Sequence, residues 1–128
     1  MKAIYAAINR NDIPAAIKFF DPQAAWIEPP HYPGAGTHRG HAEVAANASN
    51  GGNTWAEGTC EPEQFIVAGD KIVFFVHGRV RLKVHNDWID ARFADVHTFR
   101  NGKGVQMRSF GERQAALEWA AANAPDIT

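Results

Sequence analysis

The stretch from Trp88 to Phe110, WIDARFADVHTFRNGKGVQMRSF, constrains the fold more than any other part of the chain. It reads as two long strands joined at Asn101-Gly102, a pair that accepts the positive φ a twisted two-residue hairpin turn requires. Ahead of the turn the side chains alternate. One row holds Ile89, Ala91, Phe93, Asp95, His97 and Phe99; the other holds Trp88, Asp90, Arg92, Ala94, Val96, Thr98 and Arg100. The second row carries most of the charge, so the first is expected to face the core. That places Asp95 and His97 among apolar neighbours. A carboxylate there is costly unless it is paired, protonated or lining a pocket, which makes Asp95 the first residue to explain.

The chain is long enough for one domain, 1–128, and too short for two ordinary ones. Its 13 basic and 14 acidic residues nearly cancel, which argues against nucleic acid or an anionic membrane as the main partner. No apolar run approaches membrane-spanning length. Cys60 stands alone, so neither an internal disulfide nor a cysteine metal cage is available. The opening MKAIYAAINRND lacks the apolar run and cleavage site of a signal peptide, and a cytoplasmic location is the expectation.

In order, Lys2–Asn9 has helical spacing at Ile4, Ala7 and Ile8. Asn11 or Asp12 can cap a second helix with Pro14 in its first turn and Ile13, Ile17 and Phe20 as its buried stripe. Ala24–Glu28 reads as a short strand stopped by Pro29-Pro30. The segment PPHYPGAGTHRG from Pro29 to Gly40, with three prolines and three glycines, reads as a loop. His41–Ser49 reads as a third helix ending at Asn50-Gly51-Gly52. From Trp55 the pattern is β: a strand to Val67, a turn at Gly69-Asp70, and a long strand over Lys71–Val84. That strand has Ile72, Phe74, Val76, Val80 and Leu82 on one face. Its other face changes from Val73 and Phe75 to His77, Arg79, Arg81 and Lys83, which suits a curved sheet covered at one end and wet at the other. After the hairpin, Glu112–Ala122 reads as a closing helix. Helices first and an antiparallel sheet second make an α+β fold.

These segments resemble the nuclear transport factor 2-like superfamily, and within it the SnoaL-like and ketosteroid isomerase-like group, over nearly the whole chain. The carriers are Asn11-Asp12-Ile13 leading to Phe20, Ala25-Trp26-Ile27-Glu28-Pro29, and the glycine-rich loop ending at Arg39-Gly40. Gly69-Asp70-Lys71-Ile72-Val73, Phe93-Ala94-Asp95-Val96 and Phe99-Arg100-Asn101-Gly102-Lys103 supply the second half. The resemblance implies a conical α+β barrel, its helices packed on a curved antiparallel sheet enclosing a pocket for a small hydrophobic molecule. It also implies a homodimer that meets through the sheet, and no cofactor.

In the steroid isomerases a carboxylate base follows the first short strand and precedes a proline, where Glu28 stands here. A protonated Asp on a later strand donates to the developing oxyanion, and Asp95 takes that place. The partner tyrosine of those enzymes falls in register with Ile4, one residue before Tyr5. SnoaL-like cyclases carry an acid near the end of the last strand, where this chain has Gly111. Epoxide hydrolase-like members need acids where this chain has Arg81 and Gly111.

Moving a proton on carbon beside a carbonyl needs a base in reach and a donor aimed at the enolate oxygen. Glu28 and Asp95 are the candidate catalytic pair. The plainer readings are a strand-end Glu28 in water or paired with Arg39, and an Asp95 held by His97, His77 or an arginine. The candidate ligand-binding residues are Tyr5, Trp26, His31, Phe93, His97 and Met107. His31, His38 and His41 match no recognised zinc spacing, and no metal is expected. His77 and His97, on strands that could be neighbours, are a candidate pH-sensitive pair. The functional alternatives are an acid–base enzyme, a hydrophobic ligand binder, or a dimerisation module whose cone is filled by its own side chains.

Overall fold

A computed structural model of the chain describes residues 2–9, 12–28, 36–45, 55–82 and 87–123. Helix α1 spans Lys2–Asn9 and α2 spans Ile13–Ile17. The Asp12 carboxylate caps α2 by accepting from the Ala15 N–H at 3.3 Å, and Pro14 sits in the first turn, where no amide hydrogen is missed. Phe20, expected on the helix stripe, instead opens strand β1, Phe20–Glu28. The glycine-rich stretch expected to be all loop contains strand β2, Gly36–Arg39, which pairs antiparallel with the end of β1. A helix runs through residues 40–45 (α3), and the rest of the expected third helix and its Asn-Gly-Gly turn lie outside the described residues.

The remaining strands are β3 (Trp55–Ala68), β4 (Lys71–Leu82), β5 (Trp88–Arg100) and β6 (Lys103–Phe110), followed by α4 (Arg113–Asn123). Asn101 and Gly102 adopt φ of 53° and 78°, the left-handed pair that a two-residue hairpin needs. The six strands lie in the order β2-β1-β6-β5-β4-β3, antiparallel except for the β1–β6 pair. The sheet curves without closing, so β2 and β3 are its free edges.

Curvature separates two apolar layers. On the inner face, Ile4 of α1 and Val44 of α3 pack with Phe20, Ala24, Trp26 and Met107, and Tyr5 of α1 packs with Cys60, Phe74 and Val76. On the outer face, α4 lays Ala116 and Ala120 over Val73, Phe75, Ala94 and Val96. The change of character along β4 is thereby explained: Val73 and Phe75 lie beneath α4, and Arg79 beyond it is exposed. Four successive β5 residues, Ala94 to His97, are consequently buried, because the sheet is covered on both sides there.

One expectation fails at the start of β5. Ile89, placed with the core row, is 43% exposed and Trp88 is 46% exposed, since among the described residues no helix reaches that part of β5. Phe65 is also 51% exposed, on edge strand β3 beside Ile66 and Val67.

Candidate functional site

The inner face is built by cross-strand register. Phe74, Asp95 and Ser109 form one row across β4, β5 and β6. Ile72, His97, Met107 and Trp26 form the next, running on into β1. Helix α1 lowers Tyr5 onto both rows.

Asp95 is 6% exposed and bonded on both carboxylate oxygens. The Tyr5 hydroxyl donates to Oδ2 at 2.9 Å, and the Ser109 hydroxyl donates to Oδ1 at 2.5 Å. Tyr5 Oη also lies 3.0 Å from Nε2 of His97, which is 2% exposed. Aromatic rings enclose the group. Tyr5 and His97 meet edge to face at 5.9 Å, Phe74 meets His97 edge to face at 5.5 Å, and Phe99 stacks on His97 at 6.3 Å.

Burial dominates the electrostatics. Desolvation raises Asp95 from 3.8 to about 6, although the bonds from Ser109 and Tyr5 pull the other way. Desolvation, aided by the positive chain terminus, lowers His97 from 6.5 to about 3, so its imidazole is neutral. The Tyr5 phenol is raised well above its ordinary value, first by burial and then by the Asp95 charge. Cys60, on β3 beside Tyr5, is pushed up to about 12 by the same two causes in the same order. Glu28, half-buried at the end of β1, adds a smaller upward push on both Tyr5 and Cys60. Its carboxylate therefore acts on the interior that Asp95 occupies.

The structure thus gathers Tyr5, Asp95, His97 and Met107 into one cluster, with Trp26 continuing the His97–Met107 row into β1. Phe93 lies half-buried over Gly78, whose missing Cβ would sit 3.1 Å from its ring. His31 lies outside the described residues. The residues holding Asp95 differ from those anticipated: Tyr5 and Ser109 bond it, not His97, His77 or an arginine. His77 and His97 are no pair. His77 is opposite Arg92 on the outer face, where its ring donates to Asp90 at 2.6 Å, whereas His97 is opposite Ile72. Among the described residues no three His, Cys, Asp or Glu side chains converge as metal ligands, and no helix is long and apolar enough to cross a membrane.

Ser109 was not anticipated. A strict two-residue hairpin that pairs Arg100 with Lys103 would set Arg108 opposite Asp95. A register shift between Thr98 and Phe99 moves the pairing by one, so Ser109 and Met107 face inward and Arg108 outward.

A family model described as a SnoaL-like domain matches residues 1–107. No curated protein matches the chain. Among solved structures, a nuclear transport factor 2-like protein from Burkholderia thailandensis is 27% identical, with 96% of this chain and 93% of that one covered and a TM-score of 0.78. A nuclear transport factor 2-like protein of unknown function from Burkholderia pseudomallei is 28% identical over 91% and 90% of the two chains, with a TM-score of 0.77. TerC, co-crystallised with polyporic acid, shares the fold at 24% identity over 93% of each chain, with a TM-score of 0.75.

Proposed function

The chain belongs to the SnoaL-like domain family of the nuclear transport factor 2-like superfamily, and from that premise we propose that it is a cofactor-free acid–base enzyme acting on a small hydrophobic carbonyl compound. The reaction class is isomerisation, cyclisation or dehydration through an enolate. The observation that carries this reading is Asp95: a buried carboxyl group raised to about 6 and bonded to a tyrosine hydroxyl, in an otherwise apolar interior.

The roles follow from charge. Glu28, at the rim of the sheet, is the base that removes a proton from carbon next to the carbonyl. Negative charge then grows on the carbonyl oxygen. A second negative charge beside Asp95 raises its pKa further and favours the protonated acid, which with the Tyr5 hydroxyl donates to the new oxyanion. Trp26, Phe93, His97 and Met107 line the ligand, and His31 belongs to the same proposed set. The likeness to TerC, a protein crystallised with a small molecule, supports a small-molecule ligand. The homodimer belongs to the same proposal, and exposed Phe65, Ile66, Val67, Trp88 and Ile89 supply apolar surface for it.

One observation favours a second reading, a ligand-binding module without catalysis. Both Asp95 oxygens already accept hydrogen bonds within the protein, so the carboxylate is satisfied without a substrate. The two readings part in deuterium exchange at the carbon beside the carbonyl, followed by NMR for a panel of apolar ketones in D2O. Catalysis gives exchange that falls roughly a hundredfold or more in Glu28→Gln with the fold intact. Ketones that bind without exchanging, equally in both proteins, establish the binder.

A further inference from the structure

Among the described residues, two buried polar atoms of the inner face have no hydrogen-bond partner: the indole Nε1–H of Trp26 and the ring nitrogen Nδ1 of His97. Buried polar atoms without partners are costly exceptions that need a reason. These two belong to one cross-strand row with Met107 between them, and the Phe20 ring lies 5.5 Å from Trp26 and 6.0 Å from His97.

The opposite nitrogen of His97 is engaged. Tyr5 Oη sits 3.0 Å from Nε2 and 2.9 Å from Asp95 Oδ2, yet carries one hydrogen. With Asp95 ionised, Tyr5 donates to Asp95 and accepts from His97 Nε2–H, leaving Nδ1 a bare acceptor. With Asp95 protonated, the acid donates to Tyr5, Tyr5 donates to Nε2, and the imidazole proton sits on Nδ1. The imidazole is neutral in both arrangements.

We infer that His97 Nδ1 is the ligand-facing end of a proton relay through Tyr5 to Asp95, and that its ligand is an apolar molecule with an acidic hydroxyl, a phenol or an enol. Trp26 Nε1–H donates to the same ligand oxygen. In the transfer the ligand O–H bond breaks and its proton joins Nδ1. The Nε2 proton passes to Tyr5 Oη, and the original Tyr5 proton passes to Asp95 Oδ2. One negative charge moves from Asp95 to the ligand oxygen, and no electrons are exchanged with an outside group. Facing the relay are Ser109 from β6, Cys60 from β3, Glu28 from the end of β1, and apolar Phe74 and Ile72 from β4, and the amino-terminal charge also acts on His97. The depressed basicity of His97 and the raised one of Asp95 make Asp95 the resting place of the proton. The inference rests on a small apolar ligand occupying the inner face, and not on carbon-acid chemistry.

Nitrogen-15 shifts of the His97 ring in the full chain, recorded from about pH 8 to about pH 5, test the relay. The expected result is a change from the Nε2–H to the Nδ1–H tautomer with its midpoint near pH 6, with no imidazolium. Tyr5→Phe removes that change, and Ser109→Ala moves the midpoint upward. One tautomer throughout, an imidazolium, or an unmoved midpoint in Ser109→Ala overturns the relay. The ligand class is tested with 4-nitrophenol, whose absorbance separates phenol from phenolate. Binding as phenolate, weakened roughly tenfold in Trp26→Phe, supports it. Ketone exchange in a protein that binds no phenol overturns this inference and leaves the proposed function standing. Phenolate binding without ketone exchange does the reverse.

Discussion

The Tyr5 hydroxyl donates to Asp95 Oδ2 at 2.9 Å and so ties the first helix to the fifth strand across 90 residues of sequence. Because a donor favours the ionised carboxylate, the bond counts most when Asp95 is charged. Tyr5→Phe should therefore cost about 1–3 kcal/mol near pH 8 and clearly less near pH 5, below the folded-state value of about 6. Urea unfolding at the two pH values measures the difference. Ser109→Ala should behave in the same direction, since its hydroxyl serves the other carboxylate oxygen. Equal losses at both pH values would mean that neither bond is made to the ionised form.

Gly104 lies against the same site from below. A Cβ there would sit 2.8 Å and 3.0 Å from the Phe20 ring and 3.4 Å from the Phe19 carbonyl oxygen. Phe20 is fully buried and touches both Trp26 and His97, so it has little room to retreat. Gly104→Ala should destabilise by about 1–3 kcal/mol through overpacking, and should disturb the His97 ring resonances before those of His77. Thermal unfolding and a histidine NMR spectrum check both parts.

How much of this was legible depends on the range of the interaction. The hairpin at Asn101-Gly102 was readable because the turn chemistry is local, and the inward face of Asp95 and His97 because strand alternation is. The family order of motifs carried the cone. Strand β2 was hidden because its four residues lie in a glycine-rich stretch, and pairing with β1, not propensity, makes them a strand. Ile89 was misplaced because alternation tells which face a residue takes, not where a helix stops covering that face. Ser109 was hidden by a one-residue register shift that nothing in Thr98-Phe99 announces. Tyr5 was readable as a candidate, but its bond to Asp95 depends on how α1 docks, which no local pattern records.

Cys60 offers an independent reading of the interior. Burial, then the nearby Asp95 charge, pushes its thiol from 9.0 to about 12. Its thiolate fraction near pH 8 should then be lower by roughly a thousandfold, and alkylation by iodoacetamide correspondingly slow. Mass spectrometry should find it unlabelled in the native protein and fully labelled in urea. Rapid labelling of the folded protein would mean that α1 opens away from β3 on the timescale of the reaction.

The two buried titrating groups act in opposite directions on stability. Asp95 is raised from 3.8 to about 6 in the folded protein, so between those values the native state holds more protons than the unfolded chain, and this contribution is lost as pH rises through 6. The gap corresponds to about 3 kcal/mol. His97 is lowered from 6.5 to about 3, so the unfolded chain holds more protons in that window, and stability is lost as pH falls below 6.5. Between about pH 4 and pH 6 the two slopes nearly cancel. Asp95→Asn removes one of them. Its stability relative to the unsubstituted protein should climb by about 2 kcal/mol from pH 4 to pH 7, whatever the constant cost of the substitution. Other carboxylates common to both proteins drop out of that difference, which urea titrations across the range measure directly. A flat difference would mean that Asp95 is no harder to ionise in the folded protein than in the open chain, and the buried acid at the centre of the proposed chemistry would be gone.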